Sequence, residues 1–227
     1  SFNASKSEGV GNYEITTRNG YRWSAADGFL KETLKKNNVK LISRAIVQQL
    51  ILKDKKVIGI KYSKDGKIIN LKAKIGIIMA AGSIKTPQIL MHSGIGPSDH
   101  LKKFGIKTRI HNSNIGFNLQ DHIGIEYLFR SKVPTLNKSL RTWSGRTKSI
   151  LEYLMFRRGP ISLSVNQGGG FIRWKNKDGN PNLQIYFNPL TYSVKHSNKR
   201  SLLKADKFNG FIIGFQSCRP NSRGHIN

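Results

Sequence analysis

Asp121 and His122 stand side by side, and a carboxylate that orients an imidazole raises its basicity, which is the making of a general base. Neighbours in a chain need not face each other, so the pair reads first as a loop element in which Asn118 and Asp121 satisfy backbone groups. The other histidines, His92, His100, His111, His196 and His225, have no metal-ligand spacing, and no metal is inferred. Lone Cys218 excludes an internal disulfide and reads as a small core residue. A sharper signal is Ala81-Gly82-Ser83, three small residues between an apolar run and a helix. Free backbone N–H groups at a helix start complement an anionic ligand, and tiny side chains let it approach the main chain. A tight turn needed only for packing would require the same glycine, and both readings stand.

Such a turn has to be held by its flanks. Residues 75–79, a nearly continuous apolar run, predict a strand buried on both faces, and ligands of open α/β sheets sit beyond the carboxyl ends of such strands. Thr86 as a cap, Pro87 in the first turn and Gly94 as a stop predict the helix that follows. Upstream, Ser24 caps a helix predicted over 25–36, with Ala26, Phe29, Leu30 and Leu34 as its apolar stripe. Residues 39–73 read as an antiparallel meander turning at 53–56 and at Asp65-Gly66. Downstream come a short helix from Ser98 or Asp99 to Phe104, closed by Gly105, and a strand at 106–110.

After about Gly124 the composition changes to more aromatics and longer irregular stretches. A helix is expected at 150–156, broken at Gly159-Pro160. Gly168, Gly169 and Gly170 lead into a strand at 171–174, with further strands at 184–187 and 211–215. The expected fold class is α/β, α+β overall, in two parts: residues 1–124 and residues 125–227.

The 227 residues, 37% of them hydrophobic, can bury one sizeable core or two smaller ones. No run approaches transmembrane length. The first residues hold neither an initiator methionine nor a secretory pattern, so the compartment stays unread, with the cytoplasm or the face of an inner membrane as the expectation. Net charge is +27. Lysines outnumber arginines two to one and are scattered, as drift toward A/T-rich codons produces. Attraction to an anionic membrane surface and nucleic-acid binding remain alternatives, although neither zinc-finger spacing nor an aromatic RNA-binding signature occurs.

The stretch Gly82-Ser-x-x-Thr-Pro-x-x-Leu90-Met-x-Ser-Gly-Ile-Gly96 resembles the second signature of the glucose-methanol-choline oxidoreductases, FAD-dependent alcohol-oxidising flavoproteins. Arg22-x-Ser24, Ala45-Ile-Val47 and Asn118-Leu-Gln-Asp-His122 fall around it in the family's order. Thr135-Leu-Asn137, Gly159-Pro-Ile161, Pro181-Asn-Leu-Gln184 and the segment from Arg219 to Gly224 are similar to the branch containing choline dehydrogenase and related bacterial alcohol dehydrogenases. The resemblance covers essentially the whole chain.

It implies part of a Rossmann-like FAD-binding domain with its meander, then part of a substrate domain on a mixed or antiparallel sheet. Val47 matches the position whose backbone meets the adenine end of FAD, and Ala81, Gly82 and Ser83 lie against the dinucleotide. The implied reaction is oxidation of choline or another primary alcohol by hydride transfer to the flavin, with a quinone or other carrier as acceptor. An oxidase or lyase on the same scaffold is the alternative, and a basic binding module the non-enzyme rival. The family's Gly-x-Gly-x-x-Gly motif and its catalytic histidine pair, or His with Asn, do not occur here, so no catalytic residue is assigned. The chain is expected to be an internal piece of a longer enzyme, inactive alone. Tyr186, Phe187, Asn188 and Tyr192 belong either to the substrate side or to an ordinary sheet core.

Overall fold

Asp65 and Gly66 both adopt positive φ, 49° and 75°, the pair of left-handed residues that a tight two-residue hairpin demands. This hairpin is the second turn of the predicted meander. Strands Ala45–Lys53, Lys56–Lys64 and Lys67–Lys72 pair antiparallel in that order. The first strand shifts register between Val47 and Gln49 and again between Ile51 and Leu52. Bulges of this kind bend a strand and re-aim its side chains. The computed structural model describes residues 8–175, 179–193 and 204–226; His196 lies outside them. The fold is mixed α/β with antiparallel sheets, in two units.

One unit comprises Asn38–Asp121 and the segment from Asn221. Besides the meander it holds the helices Gly82–His92 and Ser98–Lys103, the second ended by Gly105 at φ 67°. Met91, Ile95 and Leu101 are buried. Three expectations are corrected here. The helix predicted from Pro87 begins instead at Gly82, whose φ of 87° turns the chain, and Pro87 sits inside it. A proline there removes the donor for the Ser83 carbonyl, and Ser83 is exposed, so water can take that place.

Residues 75–79 form no strand, and Ile75 and Ile78 lie almost wholly exposed. A strand buried on both faces needs neighbours to accept its backbone bonds, and no described strand pairs with this one. The strand at 106–110 shrinks to Ile110–His111, parallel to Ile95–Gly96.

The other unit comprises the segment up to Asn37 and His122–Pro220. Its centre is a five-stranded antiparallel sheet in the order Gly9–Asn12, Gly168–Ile172, Leu183–Asn188, Gly210–Ser217, Gly124–Arg130. The expected strands at 184–187 and 211–215 are both in it. Gly168, Gly169 and Gly170 do not lead into a strand; they are the strand. A side chain on Gly169 would collide with the Tyr13 hydroxyl, and one on Gly214 with the Tyr186 ring. Glycine inside a sheet is what such close approach requires.

The helix expected at 150–156 runs from Trp143 to Phe156, because Thr142 accepts the Gly145 N–H at 3.2 Å and starts it a turn and more earlier. Ser24 does cap its helix, accepting the Asp27 N–H at 3.3 Å. That helix ends at Thr33 rather than Lys36 and includes a π turn at Ala26–Leu30, and Phe29 of its apolar stripe is exposed. Cys218 is half-buried rather than in the core, and burial pushes its thiol pKa up.

Candidate functional site

Val47 and Ala81, drawn from different elements, line one cleft of about 730 Å³ between the first meander strand and the helix Gly82–His92. That volume is within the range of small-molecule sites. Ile46 and Ile89 supply apolar walls, and Lys61 and Lys85 supply two cations. Gly82 and Ser83 are not on the wall; they continue from Ala81 into the first helical turn. The space around Gly82 is open, so its backbone conformation, not crowding within the chain, demands glycine. No acidic residue occupies that first turn. The positive end of the helix is therefore uncompensated on its own element, which favours an anion there.

Two hydrogen bonds tie the helix to the strand, and a third seats Ser93 on the helix end. Ser93 Oγ donates to the Ile89 carbonyl at 2.6 Å and accepts the Leu50 N–H at 2.7 Å, while Gln49 Nε2 donates to the His92 carbonyl at 2.8 Å. Ser93 is buried and spans both walls of the cleft, yet its sequence position after the helix signalled only a stop. The arrangement can hold an extended ligand with an apolar part and an anionic part.

Asp121 belongs to one unit and His122 to the other, and both are exposed. Asn118 takes a left-handed φ of 62°. His111 is a helix cap: its Nδ1 accepts the Ser98 N–H at 3.3 Å and lies 2.7 Å from Ser98 Oγ. No group of three His, Cys, Asp or Glu able to hold a metal occurs among the described residues. No described helix is long and apolar enough to cross a membrane.

A second cavity, about 460 Å³, opens on one face of the five-stranded sheet and includes Tyr13, Glu126, Gln184, Tyr186 and Tyr192. Tyr186 donates its hydroxyl proton to Glu126 Oε1 at 3.1 Å. Burial, then the Glu126 carboxylate, pushes the Tyr186 pKa up to about 12, so it stays a neutral donor. Gln184 Nε2 donates to the Tyr13 hydroxyl at 3.2 Å, and that hydroxyl donates to the Ile185 carbonyl at 3.2 Å.

Of the four aromatic-region residues singled out in the sequence, Tyr186 and Tyr192 line this cavity. Phe187 points to the opposite face, beside Phe211 at 5.7 Å between ring centres, and Asn188 is fully buried. Glu126 and Tyr13 were not found from the sequence. The signal was Gly214, whose bare backbone sits in register between Glu126 and Tyr186.

Comparison with known proteins gives one family. The GMC oxidoreductase family model matches residues 1–124. The chain is 33% identical over 226 residues to the oxygen-dependent choline dehydrogenase of Brucella ovis, covering 99% of this chain and 40% of that protein. It is 32% identical over 229 residues to that of Staphylococcus xylosus, covering 99% of this chain and 39% of the relative. The chain thus spans about two-fifths of the length of these relatives. Among solved structures, pyridoxine 4-oxidase from Mesorbium loti superposes with a TM-score of 0.75 at 22% identity, over 97% of this chain and 39% of that one. Formate oxidase superposes at 0.77 and 23%, over 91% and 39%. These likenesses carry the fold.

Proposed function

We propose, for a chain that belongs to the GMC oxidoreductase family, that the whole protein is an FAD-dependent oxidoreductase acting on the CH–OH group of choline or another primary alcohol. The observation that carries the cofactor assignment is the meeting of Val47 and Ala81 in one cleft beside an uncompensated helix start. The residues present suit such a group. The Val47 strand offers backbone to the adenine end, Ala81, Gly82 and Ser83 offer N–H groups and clearance to the dinucleotide, and Lys61 and Lys85 offer positive charge.

FAD, when bound, supplies the hydride acceptor for alcohol oxidation. This chain's own share of the work is binding and orientation. Ser93 and Gln49 hold the cleft open at fixed width, and the apolar walls at Ile46 and Ile89 exclude water from the bound ligand. We assign residues 1–124 to the FAD-binding part and 125–227 to the substrate part, with the strand Gly9–Asn12 contributed to the substrate sheet. No proton acceptor for the alcohol is assigned among these residues, and the 227 residues alone are expected to show no turnover.

A quinone or other carrier would be the electron acceptor in this reading, in the cytoplasm or at the face of an inner membrane. The relatives' printed names give a specific reason to weigh oxygen as the acceptor instead. Oxygen uptake measured against reduction of a soluble quinone analogue separates the two. For the cofactor, denaturing the purified whole protein and chromatographing the released small molecule should give FAD in about one-to-one ratio to protein; FMN or no flavin would overturn the assignment.

A further inference from the structure

The helix Trp143–Phe156 is turned the wrong way for a core helix. Its one buried residue is Ser149, while Trp143 is 85% exposed and Leu154 58%, with Ile150 and Leu151 about half exposed. Positions 143, 147, 150, 151 and 154 fall on one helical stripe, and all of them but Thr147 carry a large apolar side chain. The other side of the helix faces its own unit, where Tyr153 meets the Tyr21 ring edge-on at 6.4 Å between centres. The apolar stripe is therefore the solvent side.

Cations border it. At 3.6 residues per turn Arg146 lies on one flank of the stripe and Lys148 on the other, and both are exposed. Over residues 138–158 the basic side chains are Lys138, Arg141, Arg146, Lys148, Arg157 and Arg158, against one acidic residue, Glu152, which lies 3.9 Å from Arg158. A tryptophan and branched aliphatic side chains between cations are the pattern of a helix lying in the plane of a membrane interface. Its apolar face enters the boundary of the acyl chains, and its cations meet anionic headgroups. Fourteen residues are too few to span a bilayer, so this helix lies on one. A nucleic acid offers phosphates but no apolar layer for Trp143 and Leu154. A protein segment laid over the stripe would have to bring carboxylates to both flanks, where the desolvated cations need partners.

We propose that this helix is a peripheral membrane-docking surface, with the stripe from Trp143 to Leu154 seated in the interfacial layer of an anionic bilayer and with Arg146 and Lys148 on lipid phosphates. The proposal goes beyond the oxidoreductase reading and does not rest on it.

The test sediments the whole protein with vesicles of phosphatidylcholine alone, or of phosphatidylcholine and phosphatidylglycerol in equal parts, at physiological salt. The protein should bind the mixed vesicles and leave the neutral ones. Trp143→Ser combined with Leu154→Ser should weaken that binding about tenfold or more, with an unchanged thermal midpoint in the absence of lipid. Arg146→Gln combined with Lys148→Gln should weaken it about twentyfold, since each cation near an anionic surface contributes about fivefold. Vesicles with brominated acyl chains should quench part of the tryptophan emission of the bound wild type, and Trp143→Phe should still bind while losing most of that quenching. Binding undiminished in the serine pair, or quenching retained in Trp143→Phe, would assign the attraction to scattered lysines and overturn the proposal. A protein that ignores the anionic vesicles overturns it as well. So does a serine pair whose thermal midpoint falls by several degrees, because another part of the chain then covers the stripe.

Discussion

Ser93 joins the two walls of the larger cleft through a donated and an accepted bond, and it does so from a buried position. Ser93→Ala leaves the Leu50 N–H without its partner, at a cost of about 1–2 kcal/mol, and should let the walls drift apart. A lowered thermal midpoint of the whole protein, together with faster loss of flavin on dialysis, is the expected outcome. Asp27 is a second test at this scale. Its carboxylate is held down to about pH 2, first by Lys31 and then by Ser24, whose hydroxyl donates to it at 2.5 Å. A carboxyl whose folded pKa lies below its ordinary value contributes stability above that ordinary value and loses it as pH falls toward 2. Carbon-detected NMR titration should therefore find Asp27 still ionised at pH 3, where exposed carboxyls are mostly protonated. The candidate site residues were only partly legible in the sequence. Val47 and Ala81 were singled out, whereas Ser93 and Glu126 were missed because their roles depend on partners more than 40 residues away, joined only by the fold.

Periodicity and turn chemistry were strong enough to read some elements directly. The meander followed from its two turn signals, at 53–56 and at Asp65-Gly66, both local. The apolar run at 75–79 misled because a fully buried strand is defined by its neighbours, and no described strand pairs with this run. Three consecutive glycines misled in the opposite direction: glycine normally weakens a strand, but here it admits the Tyr13 and Val10 side chains. Two substitutions test this view of the elements. Gly82→Ala forces a side chain into φ 87° and should cost about 1–2 kcal/mol even though open space surrounds it. Gly214→Val drives its side chain into the Tyr186 ring and should cost about 1–3 kcal/mol by overpacking. Urea midpoints of the full-length variants check both. A Gly82→Ala variant as stable as the parent would show that the positive φ is not required at that turn.

At the scale of the molecule, two units carry two cavities of opposite character. The cleft by the meander has lysines and an open helix start, and the cavity on the five-stranded sheet has carboxylates and tyrosines. The overall charge of +27 was legible at once and said little, because it does not report how charge is apportioned between cavities. The most direct test of the account is anaerobic reduction of the purified whole protein. It should be yellow as isolated, and choline or another primary alcohol added without oxygen should bleach the oxidised-flavin absorbance. A colourless protein, or a flavin spectrum unmoved by every alcohol in a broad panel, would contradict it.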